Sequence, residues 1–97
     1  MSGYILSPAA KADIEGIWDY TVIRWGLDQA EHYIRLIYAA CEELAQGKRF
    51  SRSAEDVRPG YHRTDAESHI LFFRRTDTGM IDIIRILHQR MDIARHL

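Results

Sequence analysis

A chain of 97 residues has room for one hydrophobic core, and 46% hydrophobic with 28% charged residues is the balance of a globular protein, not a disordered one. The formal net charge is −1, split between −4 over residues 1–46 and +3 over residues 47–97. That basic excess is small beside what phosphate neutralisation demands, so protein partners are favoured over RNA or DNA. A single cysteine excludes an internal disulfide and a multi-cysteine zinc site.

The chain opens on Met1-Ser2-Gly3-Tyr4 without a basic start before an apolar stretch, so no secretory signal is read there and a cytoplasmic location is expected. Uninterrupted apolar runs such as residues 36–41 fall far short of the roughly 20 needed to cross a bilayer, which predicts no membrane span. Residues 4–6 fit a short strand. Ser7 and Pro8 then supply an N-cap and a first helical residue, and Ala10, Ile14, Ile17, Trp18, Thr21 and Trp25 recur at helical spacing, with Gly26 as the stop. Asp28 with Glu31 resembles a capping box for a second helix that buries Ala30, Tyr33, Ile34, Ile37, Tyr38, Cys41, Leu44 and Ala45 and ends near Gln46 and Gly47. A turn of a residue or two makes the pair an antiparallel hairpin.

Residues 48–60 are polar, aperiodic and contain Pro59-Gly60, which predicts a long loop. Strands over 61–64, 68–75 and 80–88 follow, separated by Asp65-Ala66-Glu67 and Asp77-Thr78-Gly79 as two hairpin turns. In the last strand Ile81, Ile83 and Leu87 point one way and Ile84 and Ile86 the other, so it is apolar on both faces and central. Residues 89–97 make a short tail anchored by Met91, Ile93 and Leu97. The expected class is α+β: an N-terminal strand, a helical hairpin on a mainly antiparallel sheet, and a short C-terminal tail, in one domain over residues 1–97.

In this order, Ser7-Pro8-Ala9-Ala10-x-Ala12-Asp13-Ile14-x-x-Ile17-Trp18-x-Tyr20, Trp25-Gly26-x-x-x-Ala30, Val57-Arg58-Pro59-Gly60-Tyr61-His62-Arg63, Ser68-His69-Ile70-Leu71-Phe72-Phe73-Arg74 and Ile84-Arg85-Ile86-Leu87-His88-Gln89-Arg90-Met91-Asp92 resemble the RelE/ParE toxin superfamily, closest to its ParE branch. The resemblance runs over essentially the whole chain. It implies the toxin of a type II toxin–antitoxin system, associated with plasmid stabilisation, which inhibits DNA gyrase by binding. A ParD-like antitoxin would neutralise it in a hetero-oligomer and would carry any contact with operator DNA. No cofactor is implied.

The RelE branch of the superfamily cleaves mRNA on the ribosome, chemistry that needs converging basic groups and a proton donor or acceptor. Arg63, Arg74, Arg85 and His88 are the candidates for that alternative; on a regular strand Arg85 and His88, three apart, face opposite ways. His88 either moves protons or fixes the tail by hydrogen bonding. On the gyrase reading no catalytic residue is expected, and Arg90, Asp92 and Arg95 in the tail are the target-binding candidates. Ile70 with Phe72, or Leu71 with Phe73, is the candidate antitoxin-binding patch if one pair stays exposed. The five histidines match no short metal-ligand motif and no metal is expected. Asp13 with Asp19 and Glu42 with Glu43 read as a solvated acidic face, Cys41 as a small core residue, and Trp18 and Trp25 as core anchors.

Overall fold

A computed structural model describes residues 3–97; Met1 and Ser2, and with them the start of the segment read for a secretory signal, lie outside the described residues. Strand β1 (Tyr4–Leu6) leads into helices α1 (Pro8–Trp25) and α2 (Leu27–Ala45). Strands β2 (Arg52–Ser53), β3 (His62–Ala66), β4 (His69–Arg75) and β5 (Ile81–His88) follow, and a one-turn helix α3 (Ile93–His96) ends the chain. The class is α+β, as the periodicity predicts. Among the described residues no helix is long and apolar enough to cross a membrane.

Helix α1 starts where Ser7 takes an extended conformation and its Oγ accepts the Ala10 N–H at 3.0 Å, with Pro8 supplying a helical φ and no orphan donor. The same Ser7 Oγ donates to the Ile84 carbonyl at 2.7 Å, so one hydroxyl both caps α1 and ties it to β5. Gly26, at φ 92°, closes α1 and is at once the residue preceding α2. The capping box on Asp28 is therefore not formed. With one residue between the helices the reversal is complete before Asp28, which falls in the first turn of α2, where its charge meets the positive end of the helix dipole.

The sheet order is β1-β5-β4-β3-β2, parallel between β1 and β5 and antiparallel elsewhere. β5 is paired on both sides, as its two apolar faces require. β2 lies inside the segment read as a loop; two exposed residues carry no alternation from which to recognise a strand. β3 and β4 turn through Glu67, at φ 57°, and β4 and β5 through Gly79, at φ 85°.

Opposite Phe72 and Phe73 the register jumps from Arg85 to Ile83, which leaves Ile84 as an extra residue in β5. The bulge resets the alternation, so Ile81, Ile83 and Ile86 share the helical face while Leu87 joins the opposite one. This differs from the strict period-two expectation, which pairs Ile86 with Ile84.

Both faces of the sheet are covered. On one, Leu71 and Phe73 pack with Ile14, Ile17, Ile37 and Leu44 of the hairpin; on the other, Ile70, Phe72 and Leu87 lie under Ala54, Tyr61 and the tail residues Ile93 and Leu97. Ile70, Leu71, Phe72 and Phe73 are thus all buried in the isolated chain, and neither pair forms the exposed patch expected of them. The reason is topological: β4 has strands on both edges and a layer on both faces.

The first helix also corrects the tryptophans. Ala10, Ile14, Ile17 and Thr21 form its buried stripe, Trp18 is half-buried on the flank, and Trp25 is 66% exposed because it sits at the hairpin tip. Cys41 is fully buried, and burial pushes its thiol up to about 12, which keeps it protonated and inert.

Candidate interaction site

Where β1 stops at Leu6, the next part of β5 loses its strand neighbour, and α1 takes over that edge through Asp13. One Asp13 oxygen accepts the Arg85 Nε–H and the Ile86 backbone N–H, each at 2.8 Å, and the other accepts from Arg85 Nη2 at 2.8 Å. Arg85 Nη1 donates to the His96 carbonyl at 2.8 Å. One bidentate pair thereby joins α1, β5 and the tail, and hydrogen bonding to Asp13 raises the Arg85 pKa further. Asp13 is not part of a solvated acidic face; Asp19, further along α1, is exposed.

Beside this clasp a cavity of about 790 Å³ runs between α1, the start of β4, the end of β5 and the tail. Its wall is mainly apolar: Gly16, Tyr20 and Trp25 from the hairpin, Met91 from the tail, and the rings of His69 and His88. Gly16 has open space where a side chain would stand, so the groove reaches the backbone of α1. Tyr20, Trp25 and Met91 are 60%, 66% and 39% exposed, a concentration of uncovered apolar surface at one end of the molecule.

The cavity holds a histidine pair. The His69 and His88 rings meet edge to face at 5.2 Å, on strands that place the two residues directly opposite. Tyr33 on α2 accepts the Ser68 N–H at 3.1 Å, which leaves its own proton for His69 Nδ1 at 2.6 Å. Burial, and then the electrostatic influence of the neighbouring His88, lower the His69 pKa to about 4, so His69 is neutral with its proton on Nε2. Burial raises the Tyr33 pKa. His88 Nδ1 accepts the Arg90 N–H at 3.1 Å, the tail-fixing role that was one of its two expected roles. No group of three or more potential metal ligands gathers among the described residues.

The structure divides the four residues of the nuclease alternative. Arg63, Arg74 and Arg85 share the face of Phe72: Arg63 lies over the Phe72 ring at 5.5 Å, Arg85 pairs opposite Phe72, and Arg74 follows two residues along β4. His88 points to the other face with His69 and Tyr33. Arg74 is held by Asp82 at 3.1 Å and Arg85 by Asp13, so two of the three guanidinium groups already have carboxylate partners. The tail candidates Arg90, Asp92 and Arg95 are all exposed, and Arg90 also lines the cavity.

The groove, the Tyr33–His69 pair and the Asp13 clasp escaped sequence reasoning. Asp13 lies between Ala10, Ile14 and Ile17 on the inward stripe, a position where a carboxylate needs a buried partner, and that was the available signal.

A helical hairpin laid on a five-stranded sheet, with an uncovered apolar groove at one end, defines a small α+β domain. Comparison with known sequences makes this specific: the family model for the ParE toxin of the type II toxin–antitoxin system parDE matches residues 4–93, and the chain belongs to that family. It is 51% identical over 96 residues to Toxin ParE1 of Mycobacterium tuberculosis H37Rv, covering 99% of this chain and 98% of the relative. With Toxin ParE1 of Caulobacter vibrioides the identity is 41% over 98 residues, covering 100% and 99%. With Toxin ParE of Escherichia coli it is 31% over 97 residues, covering 100% and 94%. A solved structure described as the chromosomal ParDE TA system from P. aeruginosa superposes with a TM-score of 0.77 at 25% identity, covering 91% of this chain and 96% of that one.

Proposed function

We propose that this chain acts in the cytoplasm, as one domain over residues 1–97, by binding DNA gyrase and trapping it on cleaved DNA, and that a ParD-like antitoxin silences it in a hetero-oligomer. Family membership supports the toxin role, and the uncovered groove beside Tyr20, Trp25 and Met91 is the observation that carries the antitoxin contact. An antitoxin segment presenting an apolar stripe buries that surface, while Arg90 on the rim takes a carboxylate. The target contacts are assigned to Arg90, Asp92 and Arg95, which stand clear of the core on the tail. Operator DNA is reached only through the antitoxin.

Cleavage of mRNA on the ribosome is the second reading, and the separation of His88 from Arg63, Arg74 and Arg85 weighs against it. The test is induction of the chain without antitoxin, with gyrase-dependent DNA breaks and transcript cleavage assayed side by side. Breaks without translation-dependent cuts support the proposal. Translation-dependent cuts that vanish in His88→Gln refute it.

A further inference from the structure

The far edge of the sheet carries arginines that the fold leaves unused. Arg52 on β2 and Arg63 on β3 are paired directly across the ladder, an arrangement that sets like charges side by side. Neither forms an ion pair among the described residues, and the Nε of Arg63 is buried without a hydrogen-bond partner. Arg63 is also fixed in place, its guanidinium lying over the Phe72 ring. Arg49, alongside, is engaged by Glu43 and the Asp65 carbonyl, yet its Nε too is buried and unpartnered.

These groups line a depression of about 380 Å³ together with Phe50, Thr64 and Asp65. Phe50 is 81% exposed, and its carbonyl accepts a 2.8 Å hydrogen bond from the hydroxyl of the buried Thr64. An aromatic ring is therefore presented to solvent from a backbone that is pinned down. Arg52 and Arg63, with no carboxylate partner among the described residues, suit a phosphate or carboxylate oxygen through their outer guanidinium nitrogens, and an exposed phenyl ring on an anchored backbone suits a flat π-face.

We propose that this edge binds single-stranded nucleic acid, with a backbone phosphate between Arg52 and Arg63 and the adjoining base stacked on Phe50. A purely acidic peptide such as polyglutamate would use the two arginines but has no flat partner for the ring, and a duplex keeps its base faces covered. Asp65 is the one carboxylate lining the depression, so the local balance is positive although the whole chain carries −1. The site is separate from the groove assigned to the antitoxin and does not depend on the identity of the toxin's target.

The test is fluorescence anisotropy on the purified full-length chain with labelled oligonucleotides of thymidine and of uridine about 12 nucleotides long, within the usual range of site sizes, and with a matching duplex. Saturable binding to one or both single strands is expected, and which of them binds separates DNA from RNA. Phe50→Ala should weaken it about 5- to 150-fold, the range of one lost stacking contact. Arg52→Gln should weaken it and lower the slope of log K against log salt by about 0.7, one phosphate's worth. Both residues are exposed, so circular dichroism should match the parent, and Lys11→Gln should bind as the parent does. Absence of saturable binding overturns the proposal. So does a Phe50→Ala affinity within about twofold of the parent, equal affinity for the duplex, or displacement of the oligonucleotide by polyglutamate at matched charge. Capture of an antitoxin, measured on the same variants, reports on the proposed toxin role separately.

Discussion

Replacing Asp13 by alanine removes three acceptor contacts at once and strands two donors of different kinds. Arg85 loses a bidentate partner, and the Ile86 N–H loses its Asp13 acceptor on the edge of β5 where the β1 pairing has already ended. Breaking a fully buried ion pair from one side costs about 3 to 5 kcal/mol. Here the side chains retain 22% (Arg85) and 13% (Asp13) exposure, so water recovers part of that, and the expected loss is about 2 to 4 kcal/mol. For a domain of this size it corresponds to a fall of roughly 10 to 25 °C in Tm. Urea unfolding of Asp13→Ala, Arg85→Met and the double variant measures the coupling directly, which should be about 1 to 3 kcal/mol. Because Arg85 also holds the His96 carbonyl, amide exchange in the tail should quicken in both single variants. An Asp13→Ala protein within about 0.5 kcal/mol of the parent, or strictly additive effects in the cycle, would show that the clasp is an incidental surface contact.

Ser7→Ala loses both the α1 cap and the bond to the Ile84 carbonyl and should cost about 1 to 2 kcal/mol by chemical denaturation, with Ser7→Asp restoring the capping share alone. Trp18→Ala, at a half-buried flank position against Ile14 and Ile34, should cost only about 1 to 2 kcal/mol, below the 3 to 5 typical of a buried aromatic; a larger loss would mean that the flank is sealed in solution. Trp25→Ala should leave the melting temperature unchanged and weaken antitoxin capture in a pull-down, an outcome tied to the groove. His69 is lowered to about 4 in the fold against about 6.5 unfolded, so the unfolded chain binds the extra proton first. Stability is then flat above pH 6.5 and falls as pH drops from there towards 4, by about 1 kcal/mol at pH 5 once partial exposure is allowed for; His69→Phe should flatten that part of the profile.

Local chemistry made much of the fold legible. Ser7-Pro8 and Gly26 mark both ends of α1, the stripe from Ala30 to Ala45 finds α2, and Gly79 marks a turn whose neighbours alternate as strands must. Each of these is decided within a few residues. What stayed hidden depends on contacts between distant segments: Asp13 with Arg85, Tyr33 with His69, Thr64 with the Phe50 carbonyl. The exposure of Trp25 belongs with these, since helical spacing puts it on the stripe and only the end of the sheet decides that nothing lies beneath it.

The burial of Ile70, Leu71, Phe72 and Phe73 has a wider consequence for how such a small domain can bind anything. A strand apolar on both faces suggests a spare surface only if one of its layers is missing, and here the tail supplies the second layer through Ile93 and Leu97. The tail is held by carbonyl contacts as well as by burial: Arg85 binds the His96 carbonyl and Arg58 Nε the Leu97 carbonyl. With both sheet faces closed, the surfaces left for partners are the margins: the groove and hairpin tip at the α1 side, the tail surface, and the arginine-lined edge at β2. The groove and the tail surface share Arg90 and Met91, whereas the β2 edge is built from other residues, so a protein of 97 residues can hold separate contacts at its two ends without enlarging its core. The bulge at Ile84 is part of the same arrangement. By turning Leu87 to the tail side while Ile86 remains under the hairpin, it gives β5 an anchor for each layer, which an unbroken alternation would not place at those positions.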